Sequence, residues 1–399
     1  MNNVYDFLII GGGVIGLTVS LELRKRFKDK KIAVIEKESH VGAHASGRNS
    51  GVLHAGFYYS EDSLKAKFTA QGNREMKEFC KKHSLKLKEC GKVVIAKNKQ
   101  EVTTLKELYK RGLNNGVDLQ IISEKETKEI NENIKTVDMA LYSPSTASID
   151  PKEVMNKLKE VAIKENIEIH FNTSYDYHKK NIVYASGKEY GFKFLINTAG
   201  LYADKIAHDF NIAKNYILLP FKGIYLKYGG NSDLVDIHVY PVPNLKNPFL
   251  GVHFTKTVEN ELKIGPTSMP AFWRENYSGI KNFNFSEFLE VTTQITKLFT
   301  LNSFGFRDLA FEELKKYNPA FMVEEAESML DNVENDFEPK PAGIRAQLLD
   351  KNTNELVMDF KVEKAENSVH VLNAVSPAFT SSFPFSRYVV DIVEKEFSN

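Results

Sequence analysis

The chain has 399 residues. At ~100–200 residues per domain that predicts two or three domains with room for a large core and a cleft. Lys plus Arg total 53 and Asp plus Glu 52, a net charge of +1, which excludes the clustered positive excess of a broad nucleic-acid-binding surface. Charged residues at 26% and apolar residues at 42% exclude a disordered chain. No apolar run approaches the ~20 residues that cross a bilayer, since Phe7–Ile10 stops at three glycines.

Val4–Ile10 reads as a short apolar strand, Val14–Phe27 as a helix and Lys31–Ile35 as a second strand, a βαβ unit. A strand that starts at Val4 with no basic segment ahead of it predicts no secretory leader and a cytoplasmic protein. Between the first strand and the helix, Gly11-Gly12-Gly13-Val14-Ile15-Gly16 fits G-x-G-x-x-G. The first glycine permits the tight turn, the second admits a pyrophosphate, and the third lets the helix pack on the strand. Glu36 lies 20 residues beyond Gly16, where a carboxylate binds ribose hydroxyls and repels a 2′-phosphate. With strand, helix and acid all in place the segment predicts dinucleotide binding, and by itself it does not choose between NAD and FAD.

A polar stretch from Ser39 to Gly56 follows, too long and irregular for a simple turn. It offers Ser46, Arg48, Asn49 and Ser50, with Lys37 just ahead, as polar contacts for a planar ring and its phosphates. Its Arg48 is one of only nine arginines against 44 lysines, a skew that makes each arginine worth a question. A helix is expected through Leu64–Lys82, a strand around Gly91–Ala96 and a helix over Glu101–Leu113. Cys80 and Cys90 show no metal-ligand spacing and read as reduced, partly buried thiols.

Asp150-Pro151 predicts a helix start, with the helix running to Glu165. Strands are expected at Glu168–Phe171, Ile182–Ala185 and Phe192–Ile196. The last ends in Asn197-Thr198-Ala199-Gly200 ahead of a helix with Asp204 in its first turn. This second strand–glycine–helix junction, with Ala199 and Gly200, is placed to approach the same ligand as the first. Short strands with Pro and Gly punctuation run from Leu218 to Pro266, a Phe-rich helical segment over Phe285–Leu330, strands over Leu356–Val362 and Val369–Asn373, and a helix near Ser382–Glu396. His83, His178 and His208 sit in polar contexts and are expected to be solvated.

The run His44-Ala45-Ser46-Gly47-Arg48-Asn49-Ser50-Gly51-Val52-Leu53-His54-Ala55-Gly56-Phe57-Tyr58-Tyr59 resembles the "SGRNSGV-x-HAG-x-YY" signature of L-2-hydroxyglutarate oxidases and dehydrogenases, FAD enzymes of the D-amino-acid-oxidase-like superfamily. Gly91–Ala96, Asn197–Asp204, Pro220–Tyr225, Tyr240–Pro243 with Leu250–Thr255, Gly343–Gln347 and Ser376–Ser382 resemble further motifs of that family in the same order. Lys222 stands where the family shows Arg, Thr146-Ala147-Ser148 replaces Thr-Gly, and Phe379 replaces a small residue. The last departure bears on the shape of the substrate pocket.

The resemblance implies an α/β fold in which a discontinuous Rossmann-type FAD-binding domain (1–84, 141–215 and 335–399) carries an inserted antiparallel-sheet α+β substrate domain (85–140 and 216–334). It implies non-covalent FAD and oxidation of a 2-hydroxy acid, L-2-hydroxyglutarate first. Another 2-hydroxy acid, glycerol 3-phosphate or an amino acid is the alternative, and a non-redox flavin-binding module is a reading of another class. Oxygen, a quinone or a carrier would accept the electrons, and peripheral contact with the inner face of a membrane stays open, although no basic amphipathic helix stands out. Oxidation at flavin needs a base for the hydroxyl proton and an anchor for the carboxylates. His54 and His253 are the candidates for the base. Arg345 is the first candidate for the anchor, and Lys222, Tyr225 and Tyr59 are further polar contacts. The helix entered at Ser381-Ser382 would present its positive end to the reduced flavin.

Overall fold

Four apolar residues in a row, Phe7–Ile10, and four more, Ile32–Ile35, are buried on both faces, the pattern of parallel strands covered on each side. In the computed structural model, which describes residues 4–243 and 251–397, these strands form the centre of an eight-stranded sheet. Its order runs Tyr175–Lys179, Ile182–Ala185, Lys188–Asn197, Val4–Ile10, Ile32–Ile35, Glu168–His170. Val4–Ile10 pairs in parallel with both neighbours, with Ile10 opposite Asn197 and Ile35. Ser368–Asn373 pairs in parallel with the end of Lys188–Asn197 and antiparallel with Lys361–Ala365. The helices Val14–Arg26 and Ser382–Phe397 pack together, and Thr18 and Ser386 share a hydroxyl bond of 2.6 Å.

The chain divides into two compact units. The first holds residues 1–49, 151–219 and 345–399, and the second holds 50–150 and 220–344. This grouping moves 50–84, 141–150 and 335–344, expected with the nucleotide-binding segments, into the second unit, and 216–219, expected with the substrate domain, into the first. The physical reason is core packing. Phe57 and Tyr58 join Val94, Leu105, Leu141 and Tyr240 in one apolar cluster, and Val52 pairs with Ser148.

The second unit has its own eight-stranded sheet, ordered Phe337–Pro339, Leu226–Tyr228, Leu262–Gly265, His253–Lys256, His238–Pro241, Lys92–Ile95, Met139–Ser143, Gln120–Ser123. It is mixed rather than purely antiparallel, because His238–Pro241 runs parallel to Lys92–Ile95. The Phe-rich helical segment expected over Phe285–Leu330 is built of three helices, Phe285–Leu301, Phe306–Lys315 and Pro319–Glu327. Asn302, Phe304 and Gly305 all take positive φ between the first two and end the first helix. The strand expected over Leu356–Val362 is two strands, Glu355–Leu356 and Lys361–Ala365, which pair with different partners. Cys80 and Cys90 are both free thiols, the first buried. His178 and His208, expected to be solvated, are half-buried and partnered: His178 lies 2.8 Å from an Asp209 carboxylate oxygen and stacks on Phe210, while His208 lies 3.0 Å from the Ala213 and Tyr216 carbonyls.

Candidate functional site

The first strand hands over to the helix at Gly11, which takes φ +104°. A Cβ there would stand 2.6 Å from the Thr198 carbonyl oxygen, so only glycine fits the turn. At Gly16 a Cβ would stand 2.0 Å from the Gly11 carbonyl oxygen and 2.8 Å from Thr198 Oγ1. Gly13 is the helix N-cap and makes no side-chain cap, which leaves the positive end of the helix turned toward the loop. Val14 donates its N–H to Ser46 Oγ at 2.9 Å. Glu36, only 8% exposed, accepts from the N–H groups of Gly12 at 2.7 Å and Glu38 at 2.9 Å.

The second junction lies beside the first. Thr198 donates its N–H to the Ile10 carbonyl at 2.9 Å, Asn197 Oδ1 accepts from Ala199 N–H at 3.1 Å, and Gly200 takes φ +54°. Ser381 is buried, and Ser382 at the start of the last helix has a buried Oγ with no hydrogen-bond partner among the described residues. These features fit a dinucleotide. The turn clears space for a pyrophosphate, Glu36 offers acceptor oxygens to ribose hydroxyls, and the Ser382 hydroxyl waits for a partner. Gly16→Ala should therefore yield protein with well under half the wild-type flavin per chain, measured by absorbance after gel filtration.

The remaining expected cofactor contacts divide. Lys37 Nζ sits 3.1 Å from Glu38 and over the Tyr202 ring at 5.1 Å. Arg48 is exposed and donates Nε–H to the Ala43 carbonyl at 2.8 Å, and Asn49 Nδ2 donates to the Ser46 carbonyl at 2.7 Å. Ser50 belongs to the second unit, where its carbonyl accepts from Lys263 Nζ at 3.0 Å. Arg345, half-buried on the strand Gly343–Asp350, belongs to the first unit.

The second unit gathers the expected histidines around a buried polar cluster. His253 Nδ1–H donates to the Gly251 carbonyl at 2.7 Å, which fixes the tautomer and makes Nε2 the acceptor. Its ring stacks on Tyr240 at 3.6 Å between centroids. Part of the resembling motif, at Leu250, lies outside the described residues. His54 is 8% exposed, and Asn73 Nδ2 holds its backbone carbonyl at 3.2 Å. Burial first, then the nearby Lys92 cation, pushes the His54 imidazole down to about 3. Burial also holds His253 and His238 well below the ordinary histidine value. All three rings are therefore neutral near pH 7.

Tyr58, Tyr59 and Tyr240 are pushed up by burial and stay protonated. Lys222 is half-buried with Nζ 3.4 Å from Asn276 Oδ1, and burial lowers it. The Tyr225 ring lies under Lys263 Nζ at 4.9 Å. Sequence reasoning passed over Lys92, which is fully buried at the start of the strand Lys92–Ile95. Its one signal was a lysine set between a glycine and an apolar run.

The sequence matches the family described as FAD dependent oxidoreductase over residues 6–392. It is 32% identical over 417 residues to the L-2-hydroxyglutarate dehydrogenase of Escherichia coli strain K12, covering 98% of this chain and 93% of that one. To the enzyme of the same name from Indibacter alkaliphilus it is 34% identical, covering 98% and 100%. To the mitochondrial L-2-hydroxyglutarate dehydrogenase of Homo sapiens it is 31% identical, covering 98% and 89%. Among solved structures, the fold is similar to a dithionite-reduced L-alpha-glycerophosphate oxidase from Mycoplasma pneumoniae with FAD bound, at a TM-score of 0.77 and 22% identity over 98% of this chain and 95% of that one. It is also similar to the glycine oxidase of Geobacillus kaustophilus, at 0.73 and 17% over 99% and 96%.

Proposed function

The chain belongs to the FAD-dependent oxidoreductases, in their L-2-hydroxyglutarate dehydrogenase branch, and from that premise we propose that it oxidises L-2-hydroxyglutarate to 2-oxoglutarate. What carries this reading is the likeness to enzymes of that name across nearly the whole length of both chains.

FAD, when bound, supplies the acceptor for the C2 hydrogen of the substrate, taken as hydride. Gly11, Gly13, Val14, Ile15 and Gly16 would hold the pyrophosphate, and Glu36 would hold the ribose. Lys37, Ser46, Arg48, Asn49, Ser50, Ala199, Gly200 and Ser381 would make the further contacts. His54 takes the hydroxyl proton as the C2=O bond forms, and its neutral ring is the form that can do so. His253, fixed by Gly251, orients the same hydroxyl through its Nε2. Arg345 holds a substrate carboxylate through its planar fork, with Lys222, Tyr225 and Tyr59 as polar support.

Anaerobic addition of L-2-hydroxyglutarate should bleach the flavin of the holoprotein, while the D-enantiomer should leave it yellow. Persistent yellow colour with every 2-hydroxy acid, glycerol 3-phosphate and amino acid tried would favour a non-redox flavin module. The FAD should be non-covalent and near one per chain, so acid precipitation should leave the colour in the supernatant.

Reoxidation by oxygen, a quinone or a carrier protein is compatible with this chemistry. No described helix is long and apolar enough to cross a membrane. Peripheral contact of a cytoplasmic protein with the inner membrane face belongs to the same proposal, and it favours the quinone. It is supported by apolar side chains left in solvent on the helix Phe285–Leu301 and in the turn ahead of it. Ile280 is 86% and Phe285 64% exposed, and Leu289 lies one turn along from Phe285. Co-sedimentation with phospholipid vesicles, weakened several-fold in a Phe285→Ser/Leu289→Ser double variant, is the expected result.

A further inference from the structure

Lys92 is fully buried, and its Nζ makes no hydrogen bond and no ion pair among the described residues. Aromatic rings wall it in: Tyr240 at 4.0 Å, Tyr58 at 5.2 Å and Phe57 at 5.7 Å from Nζ to the ring centroid. The Tyr58 hydroxyl, carried on that ring, is also buried with no hydrogen-bond partner among the described residues. Two buried donors that share no acceptor are rare in folded proteins, and each costs stability until an acceptor arrives. The strand offers no other reason for a lysine, since Val93, Val94 and Ile95 are all apolar and buried.

A second fully buried lysine, Lys256, shows the contrast. Lys256 Nζ donates to the Ser232 carbonyl at 2.7 Å and pairs with Asp236 at 3.1 Å. Among the described residues, no carboxylate pairs with Lys92. The charges that reach it are the Cys90 thiol and, from the elements packed around it, the imidazoles of His54, His238 and His253.

We propose that Lys92, with the Tyr58 hydroxyl, binds the distal carboxylate of the substrate and so selects a dicarboxylic 2-hydroxy acid over a monocarboxylic one. The inference rests on the function proposed above, in which the substrate is a 2-hydroxy diacid. Its distal carboxylate calls for a cation, and Lys92 lies in the same unit as the proposed base, His54, and within electrostatic reach of it. A carboxylate accepts from an ammonium and a phenol at once, which satisfies both orphaned donors in one step. Burial draws the Lys92 amine down to about 7, and an arriving anion stabilises its charged form again.

The test compares holoenzyme turnover of L-2-hydroxyglutarate with that of L-2-hydroxypentanoate, which has the same carbon chain without the distal carboxylate. Lys92→Met should lower kcat/KM for the diacid roughly ten- to a hundredfold and leave the monoacid within about threefold. Tyr58→Phe, which removes one hydroxyl and keeps the ring, should shift the same ratio about three- to tenfold. Equal losses on both acids, or an unchanged ratio in both variants, would overturn the assignment. Binding of glutarate, which carries no oxidisable hydroxyl, separates this failure from failure of the proposed reaction. Glutarate should raise the melting temperature of the wild-type holoprotein and have little effect on Lys92→Met, whether or not the hydroxy acid is oxidised. A wild type indifferent to glutarate, or a Lys92→Met variant as responsive as the wild type, would equally remove Lys92 from the site.

Discussion

His54→Asn should slow reduction of the flavin by L-2-hydroxyglutarate by ~10²–10⁴-fold, the contribution of a positioned base to a proton transfer. Stopped-flow measurement of the anaerobic half-reaction reads this step apart from reoxidation. Asparagine keeps a polar side chain of similar reach and cannot take the proton, so flavin content and substrate affinity should hold. His253→Asn should cost about tenfold or less, because its ring acts by orientation through Nε2 while Nδ1 is committed to Gly251. A reversal of the two magnitudes would hand the role of base to His253.

The same substitution has a stability signature whose sign is fixed by burial. The His54 pKa falls from an ordinary 6.5 to about 3 in the folded protein. Between those values the unfolded chain binds a proton that the folded chain refuses. Folded-state stability is therefore lost as pH falls through this window, at ~1.4 kcal/mol per pH unit for one such group. From pH 7 down to about pH 5, the His54→Asn variant should lose ~2 kcal/mol less than the wild type, as read from chemical denaturation. His238 and His253 add acid sensitivity of the same sign in both proteins.

The nucleotide-binding end was the legible part of the sequence. Backbone geometry there leaves no choice of residue at the glycines: Gly11 needs a positive φ and Gly16 has no room for a Cβ, while Glu36, just past the second strand, accepts from the Gly12 and Glu38 N–H groups. Such constraints are local and survive translation into a sequence pattern. The assignment of 50–84 was not legible, because apolar spacing in the helix Leu64–Lys82 says which face is buried and not which core it faces. The break in the Phe-rich segment was hidden for a related reason. Asn302 and Gly305 are ordinary helix-ending residues, but Phe304 at positive φ is a choice made by packing. Lys92 was illegible for the opposite reason: a lysine at a strand start reads as exposed, and only the fold shows rings around it.

Arg345→Lys should keep flavin and fold and lose catalytic efficiency, because the substitution changes geometry and not charge. A guanidinium meets a carboxylate with two parallel charge-assisted hydrogen bonds, and an ammonium makes one point contact. Losing one such bond costs ~1.5–3 kcal/mol, or roughly ten- to a hundredfold in kcat/KM. If the arginine holds the carboxylate beside the reacting carbon, the loss should fall equally on L-2-hydroxyglutarate and L-2-hydroxypentanoate, since both carry that group. This equal loss sets Arg345 apart from Lys92, whose substitution should spare the monoacid. A chain this poor in arginine, with nine against 44 lysines, has few such forks to spend on a salt bridge that lysine could make as well. Were the residue structural, Arg345→Lys should instead lose thermal stability or flavin while the remaining holoenzyme turns over at the wild-type rate. A stable, flavin-replete variant with unchanged efficiency on both acids would move the anchoring charge to Lys222, which is half-buried, is lowered by desolvation and lies 3.4 Å from the Asn276 amide oxygen.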